Sequence, residues 1–168
     1  MFGHPGKKLL FMGQEFGQFQ EWSEARELDW FLLAEPCHQQ LQAYVKELLA
    51  LYKKYPALYA NDDSQEGFEW INADDAARSI FSFVRKSPTG RNNLLFVINY
   101  TPVAREDYRV GVPKRKQYKL ILNSKDPKFG GDTPVEQTVY KAVKKECDGR
   151  DYSFGYPLPA YGVAVFLY

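Results

Sequence analysis

The feature of this sequence that most constrains its fold is a series of short β-rich runs that begins after Asn61. Turn residues separate the runs, and no second helical period of comparable length interrupts them. Residues 94–98 are apolar without a break, which is typical of a strand at the centre of a sheet. We predict about eight strands, at residues 68–72, 79–85, 94–100, 108–112, 118–122, 135–143, 152–158 and 162–168. That number and spacing indicate a mainly β protein built as an antiparallel β-sandwich.

The connection between the second and third runs has the chemistry of a tight turn. Ser87, Pro88, Thr89 and Gly90 follow one another, with proline at the second position and glycine at the fourth, as a type I turn prefers. The chain should therefore return antiparallel after Gly90.

Residues 1–60 have a different sequence pattern from the rest of the chain. The run Lys8–Met12 lies between Gly6 and Gly13 and predicts a strand buried on both faces, as in a parallel sheet. After a polar loop, apolar residues recur at helical spacing and predict a helix over residues 36–55, with Pro36 in its first turn. We place a domain boundary at residue 61, which divides the chain into residues 1–60 and 61–168.

Composition excludes several classes of function. The formal net charge of +1 argues against a surface that binds nucleic acid, which needs a concentrated excess of basic residues. No run of about twenty apolar residues and no signal peptide are present, so we expect no membrane partner and a cytoplasmic location. Cys37 and Cys147 lack metal-ligand spacing, and His4 and His38 lie in no catalytic motif. We expect free thiols, no metal site and no cofactor.

Several segments resemble one known family. They are HPGKKLLFMGQEFGQ at residues 4–18, Glu21 with Trp22, LDW at residues 28–30, GFEWI at residues 67–71 and NYTPV at residues 99–103. Together they are similar to the α-amylase-type glycoside hydrolase clan and, within it, to the glycogen (1,4-alpha-glucan) branching enzymes. The resemblance implies that residues 1–60 are the last strand, active-site loop and last helix of a (β/α)8, or TIM, barrel. It implies that residues 61–168 form an all-β domain of the amylase C-terminal type.

The resemblance also implies an activity for the parent protein. Such an enzyme cleaves an α-1,4-glucan chain, holds it as a covalent intermediate and transfers it to a 6-hydroxyl, forming an α-1,6 branch. In the clan the catalytic carboxylates lie on earlier barrel strands, so we expect no catalytic residue in this chain and no activity from the chain alone. The implied partners are an α-glucan, such as glycogen or amylose, and the missing N-terminal barrel.

Four residues of the loop are candidates for contact with sugar in the parent cleft: Gln14, Glu15, Trp22 and Trp30. Glu15 falls just past the predicted strand, on the side where barrel enzymes have their sites. Gln14 and Glu15 either brace the loop by hydrogen bonds or contact sugar. Trp22 and Trp30 either stack on pyranose rings or anchor the loop.

Other polar and aromatic candidates have structural interpretations. The pair Asp62 and Asp63 lies in a linker, where we expect solvation and not catalysis. We interpret Trp70, in the first strand, as a packing residue of the core or of a domain interface.

Two other functions remain open from the residues alone. In the first, the chain is a free-standing module that binds carbohydrate or acts as a scaffold, and it uses Trp22, Trp30 and Trp70. In the second, it is a small hydrolase that uses Glu15. We also expect the strand at residues 8–12, without parallel neighbours, to be disordered, packed against the helix or paired with another copy of the chain, the last of which is self-association.

Overall fold

Nine antiparallel strands form two sheets in the computed structural model, which describes residues 1–168. The strands are β1 (Phe68–Asn72), β2 (Ile80–Arg85), β3 (Leu94–Asn99), β4 (Arg105–Val112), β5 (Gln117–Asn123), β6 (Val139–Lys141), β7 (Val143–Cys147), β8 (Arg150–Leu158) and β9 (Val163–Leu167). One sheet has the order β1-β2-β3-β9-β5-β6, and the other has the order β4-β8-β7. The predicted antiparallel sandwich is therefore confirmed.

The main core lies between the two sheets. Leu95 and Val97 of β3 point into it and pack in the same cluster as Phe154 of β8 and Phe166 of β9. Leu94 and Phe96 point the other way, into a second cluster on the outer face of the larger sheet. Both faces of β3 are covered, which explains why its sequence is continuously apolar.

A single α-helix, α1 (Pro36–Lys54), covers part of that outer face. Leu51 of the helix and Tyr55, its C-cap, pack in one cluster with Leu94, Leu122 and Val165 of the sheet. The helix was predicted to residue 55, and it ends one residue earlier because Tyr55 takes an extended conformation before Pro56. Short 3-10 helices lie at Trp30–Ala34, Pro56–Leu58, Gln65–Gly67 and Pro127–Phe129.

The predicted turn at residues 87–90 joins β2 to β3. The Gly90 N–H donates to the Ser87 carbonyl oxygen at 2.9 Å, which closes the turn. The resulting register pairs Phe83 with Phe96, whose rings stack with centroids 4.9 Å apart. Turn chemistry and cross-strand pairing thus agree in this hairpin.

The single strand predicted at residues 135–143 is wrong. Val139–Lys141 pairs with β5 in the larger sheet, whereas Val143–Cys147 pairs with β8 in the smaller one. The chain changes sheet at Ala142, which is buried and donates its N–H to the Lys116 carbonyl oxygen at 3.0 Å. Buried and exposed side chains alternate from residue 140 to residue 143, through the change of sheet. The sequence pattern therefore does not show that one strand ends and another begins there.

The strand predicted at Lys8–Met12 is also wrong. No regular structure forms there, and Leu9 and Met12 have exposed fractions of 69% and 54%. A strand inside a parallel sheet needs hydrogen-bonded neighbours along both of its edges. No strand of this chain pairs with these residues. Of the predicted barrel remnant, the chain itself forms only the helix. No helix of the protein has the length and apolar character needed to cross a bilayer.

Asn99, at the end of β3, forms hydrogen bonds with the β3–β4 connection and the β8–β9 connection. Its side-chain N–H2 donates to the carbonyl oxygens of Val103 at 2.9 Å and Pro159 at 3.0 Å. Its side-chain oxygen accepts from the Thr101 N–H at 2.9 Å and the Thr101 hydroxyl at 2.7 Å. Asn99 is almost fully buried, and its hydrogen bond to Pro159 is shielded from water, whereas the other three are partly shielded.

We predict that Asn99→Ala lowers the free energy of unfolding by about 2–4 kcal/mol, because it leaves the buried Pro159 carbonyl and the partly buried Val103 carbonyl without their donor. Urea denaturation followed by circular dichroism measures this change. Asn92→Gly is the matched control, because Asn92 is exposed and has a φ of 57°, which glycine adopts readily. Equal midpoints for the two variants would contradict the proposed role of Asn99.

Candidate functional site

The loop that carries the candidate residues is held by a turn at residues 11–18. Gln14 is exposed, and its side-chain oxygen accepts the backbone N–H of Phe11 at 3.0 Å. The backbone N–H of Gln14 donates to the Phe11 carbonyl oxygen at 2.9 Å. Gly13 and Gly17 have φ values of 86° and 72°, which the tight path of this turn requires. The amide of Gln14 therefore closes its own turn.

Glu15 differs from Gln14. Its side chain is half-buried and makes no hydrogen bond or ion pair with any other residue of the chain. A carboxylate in this state keeps its full capacity to accept hydrogen bonds from a ligand or from another protein surface.

Phe16 anchors the loop on the start of α1. Its ring is fully buried, and its carbonyl oxygen lies 2.6 Å from the His38 Nδ1. A carbonyl only accepts, so Nδ1 of His38 carries the proton. Phe19 packs edge-on against the same imidazole ring, with centroids 5.1 Å apart. His38 is therefore part of the loop's packing.

The second half of the loop is held by Gln18 and Asp29. The side-chain oxygen of Gln18 accepts the Asp29 N–H at 2.8 Å, across eleven residues of sequence. The Asp29 carboxylate pairs with Arg26 at 3.0 Å, and Arg26 also donates to the Glu21 carbonyl at 2.6 Å. This network gives the side chains of Gln18, Arg26 and Asp29 a structural role in the loop.

The two tryptophans of the loop have different surroundings. Trp22 is half-buried and packs edge-on against Phe11, with centroids 5.6 Å apart. Trp30 lies against Phe16 at 5.2 Å, yet 47% of it remains exposed. Trp22 also lines an open cavity, together with Ser23, Glu24 and Ala25.

A buried ion cluster ties the N-terminal segment to the sandwich. Arg85 of β2 is fully buried and donates to the carbonyl oxygens of Gly67 at 3.3 Å and Gly3 at 3.1 Å, and it pairs with Asp62. Lys8 donates to the His4 and Gly6 carbonyls, both at 2.5 Å, and lies 3.8 Å from Asp62. We call the side chains of Lys8, Asp62 and Arg85 the clasp.

The expectation that Asp62 is solvated is wrong, because only 9% of its side chain is exposed. Burial lowers the pKa of Lys8, against the opposing effect of the Asp62 carboxylate, and nearby Arg85 lowers it further. No sequence signal identifies the clasp, because its partners lie 54 and 23 residues from Asp62.

A large apolar groove lies on the part of the outer face that α1 leaves open. Its volume is 780 Å³, and 13 of its 17 lining residues are hydrophobic, so an apolar surface fits it better than a polar ligand. Phe81, Phe83 and Ile98 are among the sheet residues of this groove, and Phe2 and His4 come from the N-terminal segment. Trp70 also lines the groove and is 45% exposed, packing edge-on against Phe68 at 5.0 Å.

A family model described as "Alpha amylase, C-terminal all-beta domain" matches residues 70–168. A 1,4-alpha-glucan branching enzyme of Butyrivibrio fibrisolvens is 52% identical over all 168 residues, which are 100% of this chain and 26% of that protein. The branching enzyme of Halothermothrix orenii is 43% identical over 166 residues, or 99% of this chain and 26% of that protein. That of Aquifex aeolicus is 44% identical over 163 residues, or 97% of this chain and 26% of that protein.

Among solved structures, an isomaltulose synthase mutant of Erwinia rhapontici in complex with D-glucose aligns with 76% of this chain and 17% of its own, with 16% identity and a TM-score of 0.47. The chain thus spans about a quarter of the length of the curated relatives that it matches.

We predict that Arg85→Met lowers the free energy of unfolding by about 3–5 kcal/mol, because it leaves Asp62 buried without its main partner. The double variant Arg85→Met/Asp62→Leu should recover part of that loss, since no unpaired charge remains between them. Urea denaturation of the two single variants and the double variant gives the coupling energy.

Lys125→Met is the control for the clasp, because it breaks an exposed ion pair, with Asp132 at 3.4 Å, and should cost at most about 1 kcal/mol. Hydrogen exchange should show that Arg85→Met loses protection first at residues 2–18. A cost for Arg85→Met no larger than that of Lys125→Met would rule out the clasp as the main attachment of the segment.

Proposed function

Because the chain belongs to the family of alpha-amylase C-terminal all-beta domains, we propose that it is the C-terminal part of a 1,4-alpha-glucan branching enzyme. The observation that carries this proposal is the 52% identity with the Butyrivibrio fibrisolvens enzyme over the full 168 residues. The alignment with that enzyme includes residues 1–69, which lie outside the family model, so the loop and the helix share the relationship.

The proposed reaction cleaves an α-1,4-glucan and transfers the released chain to a 6-hydroxyl of the same or another glucan. Retaining chemistry of this kind requires two carboxyl groups about 5 Å apart across the bond that breaks. We assign these groups to the larger part of the enzyme, which this chain does not include. The chain alone then has no role in bond cleavage.

The proposed contribution of residues 13–30 is one wall of the glucan cleft. Trp30 supports this role because about half of its indole is free to cover a sugar ring, while Phe16 holds the other side. Glu15 supports it because its carboxylate has no partner within the chain. Gln14 and Trp22 then act mainly on the shape of the loop, through the contacts that each makes with Phe11.

The proposed partner of the apolar groove is the barrel that forms the rest of the enzyme. The groove is lined in part by residues 1–5 of the N-terminal segment. Further along the same segment, Leu9, Phe11 and Met12 have exposed fractions of 69%, 42% and 54%. Contiguous apolar surface of this size is usually covered by protein. A barrel that pairs with residues 8–12 would also supply the strands that this segment lacks.

We predict that this chain can replace the corresponding 168 residues of the Butyrivibrio fibrisolvens enzyme with branching activity retained within about tenfold. The isolated chain should show no turnover. Incubation with amylose, followed by iodine absorbance and a reducing-end assay, measures both. An inactive but folded chimera, or robust turnover by the isolated chain, would each overturn the proposal.

We also predict that the isolated chain self-associates as its concentration rises, because its exposed apolar segment has no partner. Sedimentation velocity should show a shift to larger species, and Leu9→Asp/Phe11→Asp should restore a monomer. Tyr161→Asp is the control, since Tyr161 is 63% exposed but lies outside the segment and the groove. A wild-type chain that stays monomeric at all concentrations contradicts this prediction.

A further inference from the structure

A second cavity lies at an open side of the sandwich, between β6 of the larger sheet and β8 of the smaller one. Its volume is 290 Å³, close to the lower end of small-molecule pockets, which begin at about 300 Å³. Tyr140 of β6, Tyr156 of β8 and Leu120 of β5 line it from the core side. It shares no lining residue with the apolar groove or with the loop at residues 13–30.

The two tyrosines carry polar groups that the fold does not use. Tyr140 and Tyr156 are only 7% and 3% exposed, and their rings meet edge-on with centroids 5.4 Å apart. Neither hydroxyl makes a hydrogen bond within the protein, and neither belongs to the polar atoms that are sealed in the core. Phenylalanine would fill the same space without a polar atom to satisfy, so the hydroxyls are unexplained by packing.

Both hydroxyls stay protonated at neutral pH. Burial raises the pKa of Tyr156, and it also raises the pKa of Tyr140, to which the nearby Glu136 carboxylate adds. Each hydroxyl can therefore donate one hydrogen bond and accept others from a molecule in the cavity.

The charged side chains that line the cavity are all carboxylates. Glu106, Asp132 and Glu136 line it, and no lysine or arginine does. Glu106 and Glu136 take part in no ion pair. A rim with this charge disfavours an anion. The three carboxylates also do not form a group that could hold a metal ion.

A neutral polyhydroxyl compound fits these features. Its hydroxyls can donate to the carboxylates of Glu106 and Glu136 and exchange hydrogen bonds with the two phenols. Its C–H groups can rest on the aromatic and aliphatic floor. We propose that this cavity binds a glucosyl unit of an α-glucan, as a second glucan site on the β-sandwich. The choice of glucose as the sugar rests on the proposed function, whereas the class of ligand rests on the cavity.

Native affinity electrophoresis of the 168-residue chain in gels that contain glycogen tests the site. We expect the wild-type chain to be retarded. The variant Tyr140→Phe/Tyr156→Phe should bind glycogen about fivefold more weakly or worse, because two hydrogen bonds are lost while the rings remain. Its melting temperature should be unchanged or higher, since the hydroxyls have no partner in the protein. Glu136→Gln should also weaken retardation.

Tyr100→Phe is the matched control, because it removes a tyrosine hydroxyl from the apolar groove and should leave retardation unchanged. As an independent readout, maltoheptaose should shift the amide resonances of residues 135–139 and 156. The site is refuted if the wild-type chain is not retarded, or if Tyr140→Phe/Tyr156→Phe is retarded as strongly as wild type. Failure of the chimera to branch amylose, with retardation intact, would instead count against the proposed function alone.

Discussion

The structure depends on the burial of the larger sheet on both of its faces. An antiparallel sheet in a sandwich commonly has one face in water, but β3 carries large apolar side chains on each side, with Leu95 and Val97 inward and Leu94 and Phe96 outward. The outer face therefore needs a cover of its own. Helix α1 supplies one part of that cover, and the groove marks the part that remains. The partly open outer face is thus a direct consequence of the unbroken apolar sequence of β3.

The clasp gives the outer cover a defined position. Hydrophobic contacts alone would allow the N-terminal segment to slide over the groove, because apolar burial has little directionality. Arg85 removes this freedom, since its guanidinium reaches Gly3 in the N-terminal segment and both Asp62 and Gly67 in the connection between α1 and β1. A planar group with several fixed donors suits such a junction better than an ammonium group. The loop at residues 13–30 follows directly from the segment that is held in this way.

Local patterns predicted most of the sandwich, and they were wrong where pairing depended on distant residues. The turn at Ser87–Gly90 and the β-rich run at residues 162–168 are local signals, and both correspond to what forms. Residues 8–12 have the composition of a buried strand, but a strand exists only when its neighbours do. The chain's change of sheet at Ala142 has no signature of its own. Likewise, the fold brings together the residues of the clasp, and it brings Tyr140 to Tyr156, from distant parts of the sequence. Neither contact could be predicted from local patterns, and the candidate residues chosen by resemblance all lay in the loop.

The position of β9 has a consequence for synthesis of the protein in the cell. β9 lies between β3 and β5, so residues 163–167 complete the middle of the larger sheet and not its border. Until these residues have left the ribosome, the strands already made form two separate groups with exposed apolar faces. Completion of the larger sheet thus waits for residues 163–167, and polypeptides that stop short of residue 163 present the surfaces that chaperones and proteases recognise.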